Sequence, residues 1–174
     1  MILLEDMRTI CPQTKTGRLA IFIEPLNATM QEFAIDTPQR QAAFLAQIAH
    51  ESGGFIYVRE LASGDAYESR SDLGNTQAGD GRRFRGRGLV QITGRANYTA
   101  VGDALGIDCV GSPELLEEPI NAARSAGWFW NSRKLNALAD AGDFKTITKR
   151  INGGLNGYAD RCQYWERAKT VLNA

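Results

Sequence analysis

Thr37-Pro38 and Gly53-Gly54 bracket the stretch that most constrains how this chain can fold, because each pair punctuates a helix. Thr37 suits an N-cap, and Pro38 suits the first helical position, where a missing N–H costs nothing. From Gln39 to about Ser52 the residues Phe44, Leu45, Ile48 and Ala49 recur at helical spacing, and the two glycines end the run. Helical patterns return at about 94 to 105 and at about 119 to 131, where Pro119 fits a first turn and Trp128, Phe129 and Trp130 supply bulk. Short helices near 134 to 140 and 143 to 151 follow, then a last one from Ala159 to Val171. Val, Ile and Thr seldom alternate with polar residues, so the fold class predicted is mainly α. Residues 63 to 88, rich in Gly, Asp, Ser, Asn and Arg, read as a long ordered loop or short strands, with room for a small β-hairpin. Loops of that length inside a compact domain are usually functional.

At 174 residues with 43% hydrophobic content, the chain suits one compact domain with a real core, or two lobes sharing a cleft, and a second independent domain would be cramped. Lys+Arg and Asp+Glu both number 20, so no global field draws it to nucleic acid or to an anionic membrane. Glu5 and Asp6 cut short the apolar start, which predicts neither a signal peptide nor a membrane anchor. No later stretch approaches the ~20 apolar residues of a membrane helix. Cys11, Cys109 and Cys162 lack C-x-x-C spacing and read as reduced thiols, with one disulfide left open. The first 35 or so residues suggest only a packing role.

Glu51 lies three residues past Ile48 and seven past Phe44, on the same helical stripe as those core positions. A carboxylic acid beside apolar surface loses hydration in its charged form, which favours holding a proton and donating it to a leaving oxygen. The pattern alone equally allows a carboxylate that ends a helix at the surface. The bare backbone of Gly53-Gly54 would let a bulky ligand approach. Glu60 is the partner in reach once the glycines break the helix, and it fits either a two-carboxylate glycosidase or an ion pair with a nearby arginine. His50 is the sole histidine, so no two-histidine zinc motif can be built, and a structural hydrogen bond suits it better. No metal or other cofactor is called for, and no G-x-S-x-G elbow or P-loop is present. Four arginines fall within residues 82 to 87, as a solvated face or as a shaped loop that could orient a carboxylate or bind acidic groups of a polymer.

Three blocks resemble glycoside hydrolase family 19, in particular the small bacteriophage endolysins and bacterial lysins related to plant chitinases. They are Ala49-His50-Glu51-Ser52-Gly53-Gly54-Phe55, the run from Phe84 to Tyr98 with Gln91-Ile92-Thr93-Gly94-Arg95-Ala96-Asn97 at its centre, and Ile151-Asn152-Gly153-Gly154-Leu155-Asn156-Gly157. The resemblance spans roughly residues 38 to 170 and implies a bilobal, mostly helical lysozyme-like fold with a substrate cleft and an inverting mechanism without metal. It implies Glu51 as general acid, Glu60 as general base, and Thr93 as the hydroxyl that helps hold the attacking water. Gln91, Asn97 and Asn152 match residues that contact sugar, and Arg161, placed with them on the substrate-binding side, resembles an arginine that supports the base-side carboxylate. The Glu51-to-Glu60 gap is shorter than in plant chitinases, and the disulfide pattern of the secreted plant enzymes is absent.

The expected substrate is therefore the alternating N-acetylglucosamine and N-acetylmuramic acid polymer of peptidoglycan. A monomer made in the bacterial cytoplasm would reach it once a separate membrane-permeabilising protein opens the way. A chitinase would share the same residues, since both substrates are β-1,4 polymers of 2-acetamido sugars. A non-catalytic glycan-binding or virion protein would keep the cleft, yet it would gain nothing from a desolvated acid.

Overall fold

The computed structural model describes residues 1–174, and its backbone is 62% helical. Every helix expected from sequence forms within a residue or two. They are α3 (Pro38–Glu51), α5 (Arg95–Leu105), α6 (Pro119–Ser132), α7 (Leu135–Asp140), α8 (Phe144–Asn152) and α9 (Tyr158–Leu172). Thr37 caps α3 as its type dictates, its hydroxyl accepting from the Arg40 N–H at 3.3 Å, with Pro38 in the first turn. No helix is long and apolar enough to cross a membrane.

Two further helices precede these, α1 (Leu4–Ile10) and α2 (Thr16–Glu32), in the segment expected only to pack. Leu19, Phe22, Leu26 and Met30 give α2 a buried stripe at helical spacing. Pro25 stands inside that helix, which forgoes one backbone hydrogen bond there. α2 packs on α6, where Gly127 permits the contact. A Cβ there would meet the Phe33 ring at 2.3 Å and the Thr29 methyl at 2.5 Å. α3 lies along α9, and α1 also packs on α9.

The glycine-rich stretch is turns rather than strands. It holds two single 3₁₀ turns, Asp65–Tyr67 and Ser71–Leu73, and the one-turn helix α4 (Asp80–Arg83). Its β pairing amounts to two isolated antiparallel bridges, Arg59 with Arg87 and Arg87 with Ile92, so the hairpin that sequence allowed is one closed turn.

Two hydrophobic clusters result. The larger joins α1, α2, α3, α6 and α9 around Phe22, Phe44, Phe55 and Trp130. The smaller, with Phe84, Ile92, Tyr98, Val101 and Leu116, holds the glycine-rich stretch against α5. Val90 and Phe33 pack against both. Asp80, almost wholly buried, ties the smaller cluster's loop to α5 through Arg95 at 2.5 Å. Hydrogen bonding to that guanidinium holds the Asp80 carboxyl below the ordinary carboxylate range. The tie is therefore present at neutral pH and is lost only as pH falls through the depressed value. Cys11 and Cys109 are buried free thiols, and loss of hydration pushes them up to about 12 and about 11 respectively. Cys162, half-buried, is also unpaired.

Candidate active site

α3 delivers Glu51 at its last residue, and the chain then reverses sharply. Gly53, Gly54 and Phe55 take φ of +59°, +73° and +68° in succession, a left-handed run that two of the three positions enter without steric cost because they lack a Cβ. The glycines do not open the helix end to a ligand, as their sequence suggests they could. A Cβ at Gly53 would strike the Tyr57 ring at 2.9 Å, and one at Gly54 would strike the Thr14 hydroxyl at 2.6 Å. The N-terminal segment holds this reversal in place. Thr14 donates to the Gly54 carbonyl at 2.8 Å, and Arg18 donates to the carbonyls of Phe55 at 2.6 Å and Ile56 at 3.1 Å. Residues 1–35 thus fix the connection between the two candidate carboxylates as well as packing beneath it.

Glu51 is gripped by a buried cation. Its Oε1 accepts from Arg161 Nη2 at 2.5 Å, and no protein group bonds its Oε2. Arg161 is 1% exposed and reaches Glu51 from α9, while its Nη1 donates to Gln47 Oε1 at 2.6 Å and its Nε to the Asn156 carbonyl at 3.3 Å. Gln47 in turn donates to the Thr148 hydroxyl at 2.8 Å, which donates to the Phe144 carbonyl. This chain of bonds stitches α3, α8 and α9 together beneath one carboxylate. Two expectations for Arg161 are corrected here. It supports Glu51 rather than Glu60, and its burial keeps it from touching a sugar. Asn152, at the end of α8, is half-exposed beside the same loop, its amide directed at the Asn156 carbonyl at 3.5 Å. His50 faces Asp160, Nδ1 to Oδ2 at 2.6 Å, with its ring against the bare Cα of Gly157, which is a structural placement.

Glu60 sits on the far side of the reversal. Its segment runs antiparallel to residues 86–88, with its N–H on the Gly86 carbonyl at 2.9 Å and the Gly88 N–H on the Val58 carbonyl at 2.9 Å. No cation pairs with Glu60. Oε1 accepts from the Tyr67 hydroxyl at 2.9 Å and Oε2 from the Gly86 N–H at 3.1 Å. Burial and the bond to Glu60 push the Tyr67 phenol above its ordinary value, so it remains a donor across neutral pH. Gly86 lies tightly between Gln91 and Glu60. A Cβ there would lie 2.7 Å from Gln91 Oε1 and 3.3 Å from Glu60 Oε2, which puts those two oxygens within about 6 Å of each other.

Gln91 adopts φ +53°, donates to the Gly88 carbonyl at 3.0 Å, and accepts on its own carbonyl from Thr93 Oγ1 at 2.9 Å. That bond uses the Thr93 hydroxyl proton and leaves its lone pairs free to accept from a water. Asn97 donates to the Thr93 carbonyl at 2.7 Å. Gln91, Thr93 and Asn97 line a cavity of about 170 Å³ together with Val90, Trp128 and Arg133. The larger apolar hollow, about 570 Å³ and bounded by Ile23, Met30, Ile35 and Gln41, contains none of these residues. Gln41 is ten residues up α3 from Glu51, about 15 Å along the helix.

Of the four clustered arginines, three are structural. Arg82 pairs with Asp65, Arg83 donates to the carbonyls of Val110 and Gly111, and Arg87 is buried against Glu117 at 2.7 Å and the Tyr98 hydroxyl at 2.9 Å. Arg87 is the residue both bridges share, so its anchoring fixes the segments that carry Glu60 and Thr93. Tyr67, Gln47, Thr148 and Arg133 escaped the sequence reading, and Trp128 entered it only as bulk in α6. Only Gln47 left a signal there, as a polar residue four positions before Glu51 on the same helical face.

Comparison with known proteins bears on this arrangement. The family model for glycoside hydrolase family 19, described as chitinase class I, matches residues 27–141. A glycosyl hydrolase family 19 domain-containing protein of Haemophilus influenzae is 32% identical over 182 residues, covering 86% of this chain and 88% of that protein. An endochitinase of Arabidopsis thaliana is 41% identical over 114 residues, 65% of this chain, but that match takes in only 39% of the plant protein. Among solved structures, chitinase C from Streptomyces griseus superposes with a TM-score of 0.82 at 25% identity, over 99% of this chain and 77% of that one. A bacterial family 19 chitinase superposes with a TM-score of 0.78 at 27% identity, over 98% and 94%.

Proposed function

The chain belongs to glycoside hydrolase family 19 and is a glycoside hydrolase, and on that premise we propose that it is an endolysin-type enzyme cutting the β-1,4 bond between N-acetylmuramic acid and N-acetylglucosamine in peptidoglycan. The observation that carries the mechanism is the unlike holding of two carboxylates on either side of one chain reversal. Glu51 is gripped through a single oxygen by buried Arg161, whereas Glu60 is held by two neutral donors and no cation.

Glu51 acts as general acid. Arg161 fixes the plane of its carboxyl and leaves Oε2 to carry a proton to the glycosidic oxygen as the bond to the anomeric carbon breaks. Glu60 acts as general base, taking a proton from a water that attacks the anomeric carbon from the opposite face, which inverts its configuration. An inverting pair needs room for that water, ~6.5–9.5 Å between carboxyl groups. Thr93 supplies the lone pairs that orient the water, and the Tyr67 and Gly86 donors keep Glu60 from swinging away. Gln91, Asn97 and Asn152 supply amide groups for the 2-acetamido sugars.

The charge of the surroundings favours peptidoglycan over chitin in this reading. Arg133, beside Thr93, and Arg150, two residues before Asn152, have no acidic partner, and peptidoglycan carries carboxylates where chitin has none. The enzyme would meet its wall as a monomer after a separate protein permeabilises the membrane. The second reading, a chitinase, is favoured by the likeness to the Streptomyces and Arabidopsis proteins. Incubating the full chain with purified sacculi and, separately, with chitin hexamer, and identifying products by mass spectrometry, distinguishes the two. The expected outcome is turbidity loss of sacculi with release of disaccharide-peptides, at a rate on muramoyl glycan at least about tenfold above that on the hexamer. Turnover confined to the hexamer would establish the chitinase instead.

A further inference from the structure

Arg133 lines the cavity beside Thr93 as a cation without a counter-charge. Five arginines drawn in from solvent, Arg40, Arg87, Arg95, Arg124 and Arg161, each lie on a carboxylate within 2.5 to 2.8 Å, and Arg18 spends its fork on two backbone carbonyls, while Arg85, outside this cavity, keeps a buried Nε without a partner. Arg133 is half-buried just past the end of α6 and has no acidic partner. Its guanidinium lies over the Phe129 ring, 3.4 Å from the centroid, and its only hydrogen bonds are two long ones from Nη1, 3.5 Å to the Phe129 carbonyl and 3.3 Å to the Ser132 hydroxyl. Nε and Nη2 have no protein acceptor. Loss of hydration pulls this group below the ordinary arginine value, with no counter-charge to offset it.

Position gives that unpaired fork a purpose. Arg133 lines the cavity of about 170 Å³ that holds Gln91, Thr93 and Asn97, and its own carbonyl accepts from Arg150 Nη1 at 3.0 Å, which ties it to the helix ending in Asn152. It therefore stands between the two groups of residues that match the family's sugar contacts. The cavity admits a small substituent carried by a sugar. Val90 and Trp128 give it an apolar side, and the free guanidinium edge gives it one that fits a carboxylate in bidentate fashion.

We infer that Arg133 is a specificity-determining residue that binds a carboxylate carried by the glycan, with the substituent's carbon atoms against Val90 and Trp128. The inference rests on the peptidoglycan reading and names the group by which that polymer is told from chitin. The carboxylate can come from a muramoyl lactyl ether in a peptide-free strand or from a stem peptide.

Binding by the full chain carrying Glu51→Gln, which holds glycan without cutting it, tests this by calorimetry. The ligands are a peptide-free muramoyl tetrasaccharide, the same sugar with its lactyl carboxyls reduced to alcohols, a peptide-bearing tetrasaccharide with and without esterified carboxyls, and chitotetraose. A carboxylate-bearing ligand is expected to bind about tenfold more tightly than its neutral counterpart. The lactyl pair or the peptide pair, whichever shows that difference, identifies the source. Adding Arg133→Gln is expected to abolish the preference, and Arg133→Lys to restore part of it, with thermal unfolding confirming that both variants fold. Equal affinities within both pairs, or a preference that survives Arg133→Gln, would overturn the inference. A carboxylate preference in a protein that cuts only chitin would sink the peptidoglycan reading and leave the Arg133 site standing. Cleavage of sacculi without the preference would do the reverse.

Discussion

Replacing Glu51 by Gln is expected to lower kcat on the cleaved glycan by about 10³-fold, within the range that positioned acids contribute to proton transfer. Glutamine keeps the shape and an oxygen for Arg161 Nη2, but it has no acidic proton to pass to the leaving sugar. The loss should therefore fall on kcat rather than KM, the pattern of an interaction realised only in the transition state. The substitution also removes the one counter-charge of a cation that is 1% exposed, so a Tm decrease of a few degrees should accompany it. Initial rates with a soluble oligosaccharide and a thermal melt separate the two effects. Activity within tenfold of the parent would remove Glu51 from the proton-transfer role.

The largest stability effect is expected at Arg161. Its three donors serve Gln47 and Glu51 on α3 and the Asn156 carbonyl in the loop between α8 and α9. Arg161→Met would fill similar volume while leaving Gln47 Oε1 buried without a donor and Glu51 without its cation. Removing one partner of a buried ion pair costs about 3–5 kcal/mol, and Glu51's residual access to water places this case at the low end, about 3 kcal/mol. For a chain of this size that is a Tm decrease of roughly 6–12 °C. Arg161→Lys would keep the charge but lose the fork that reaches three acceptors at once, so an intermediate loss is expected. Activity of the Met variant, measured well below its melting point, should also fall, because the Glu51 carboxyl loses the contact that sets its plane. Unchanged Tm in the Met variant would mean that the α3–α8–α9 network contributes nothing to holding the site.

These effects also show which parts of the molecule could be read in advance. α3 was legible end to end, since Thr37, Pro38, the Phe44–Ile48 stripe and the two glycines are local signals whose geometry does not depend on the rest of the chain. α2 was not, although Leu19, Phe22, Leu26 and Met30 form an equally regular stripe. Pro25 argues against a helix locally, and only burial against α6 outweighs the lost hydrogen bond. At the site, the block from Gly86 to Asn97 carries its own turn geometry, so Gln91, Thr93 and Asn97 arrive together as their spacing suggests. What holds the carboxylates was hidden, because the partners are remote or ambiguous. Arg161 meets Glu51 across 110 positions of sequence, and none of the nearby arginines pairs with Glu60, which the Tyr67 hydroxyl and the Gly86 N–H hold instead. Arg133 gave no sign, since an unpaired cation is recognisable only once its surroundings are known.

The central claim is that Glu51 and Glu60 act from opposite faces of the scissile bond, one on the leaving oxygen and the other on water. Its most direct test is the anomeric configuration of the newly formed reducing end, followed by proton NMR in the first minutes of cleavage of a soluble oligosaccharide, before mutarotation. A water delivered by Glu60 to the face opposite the leaving group must yield the α-anomer first from a β-linked substrate. First appearance of the β-anomer would mean net retention through an intermediate, and would contradict the assignment of Glu60 as the base that activates water.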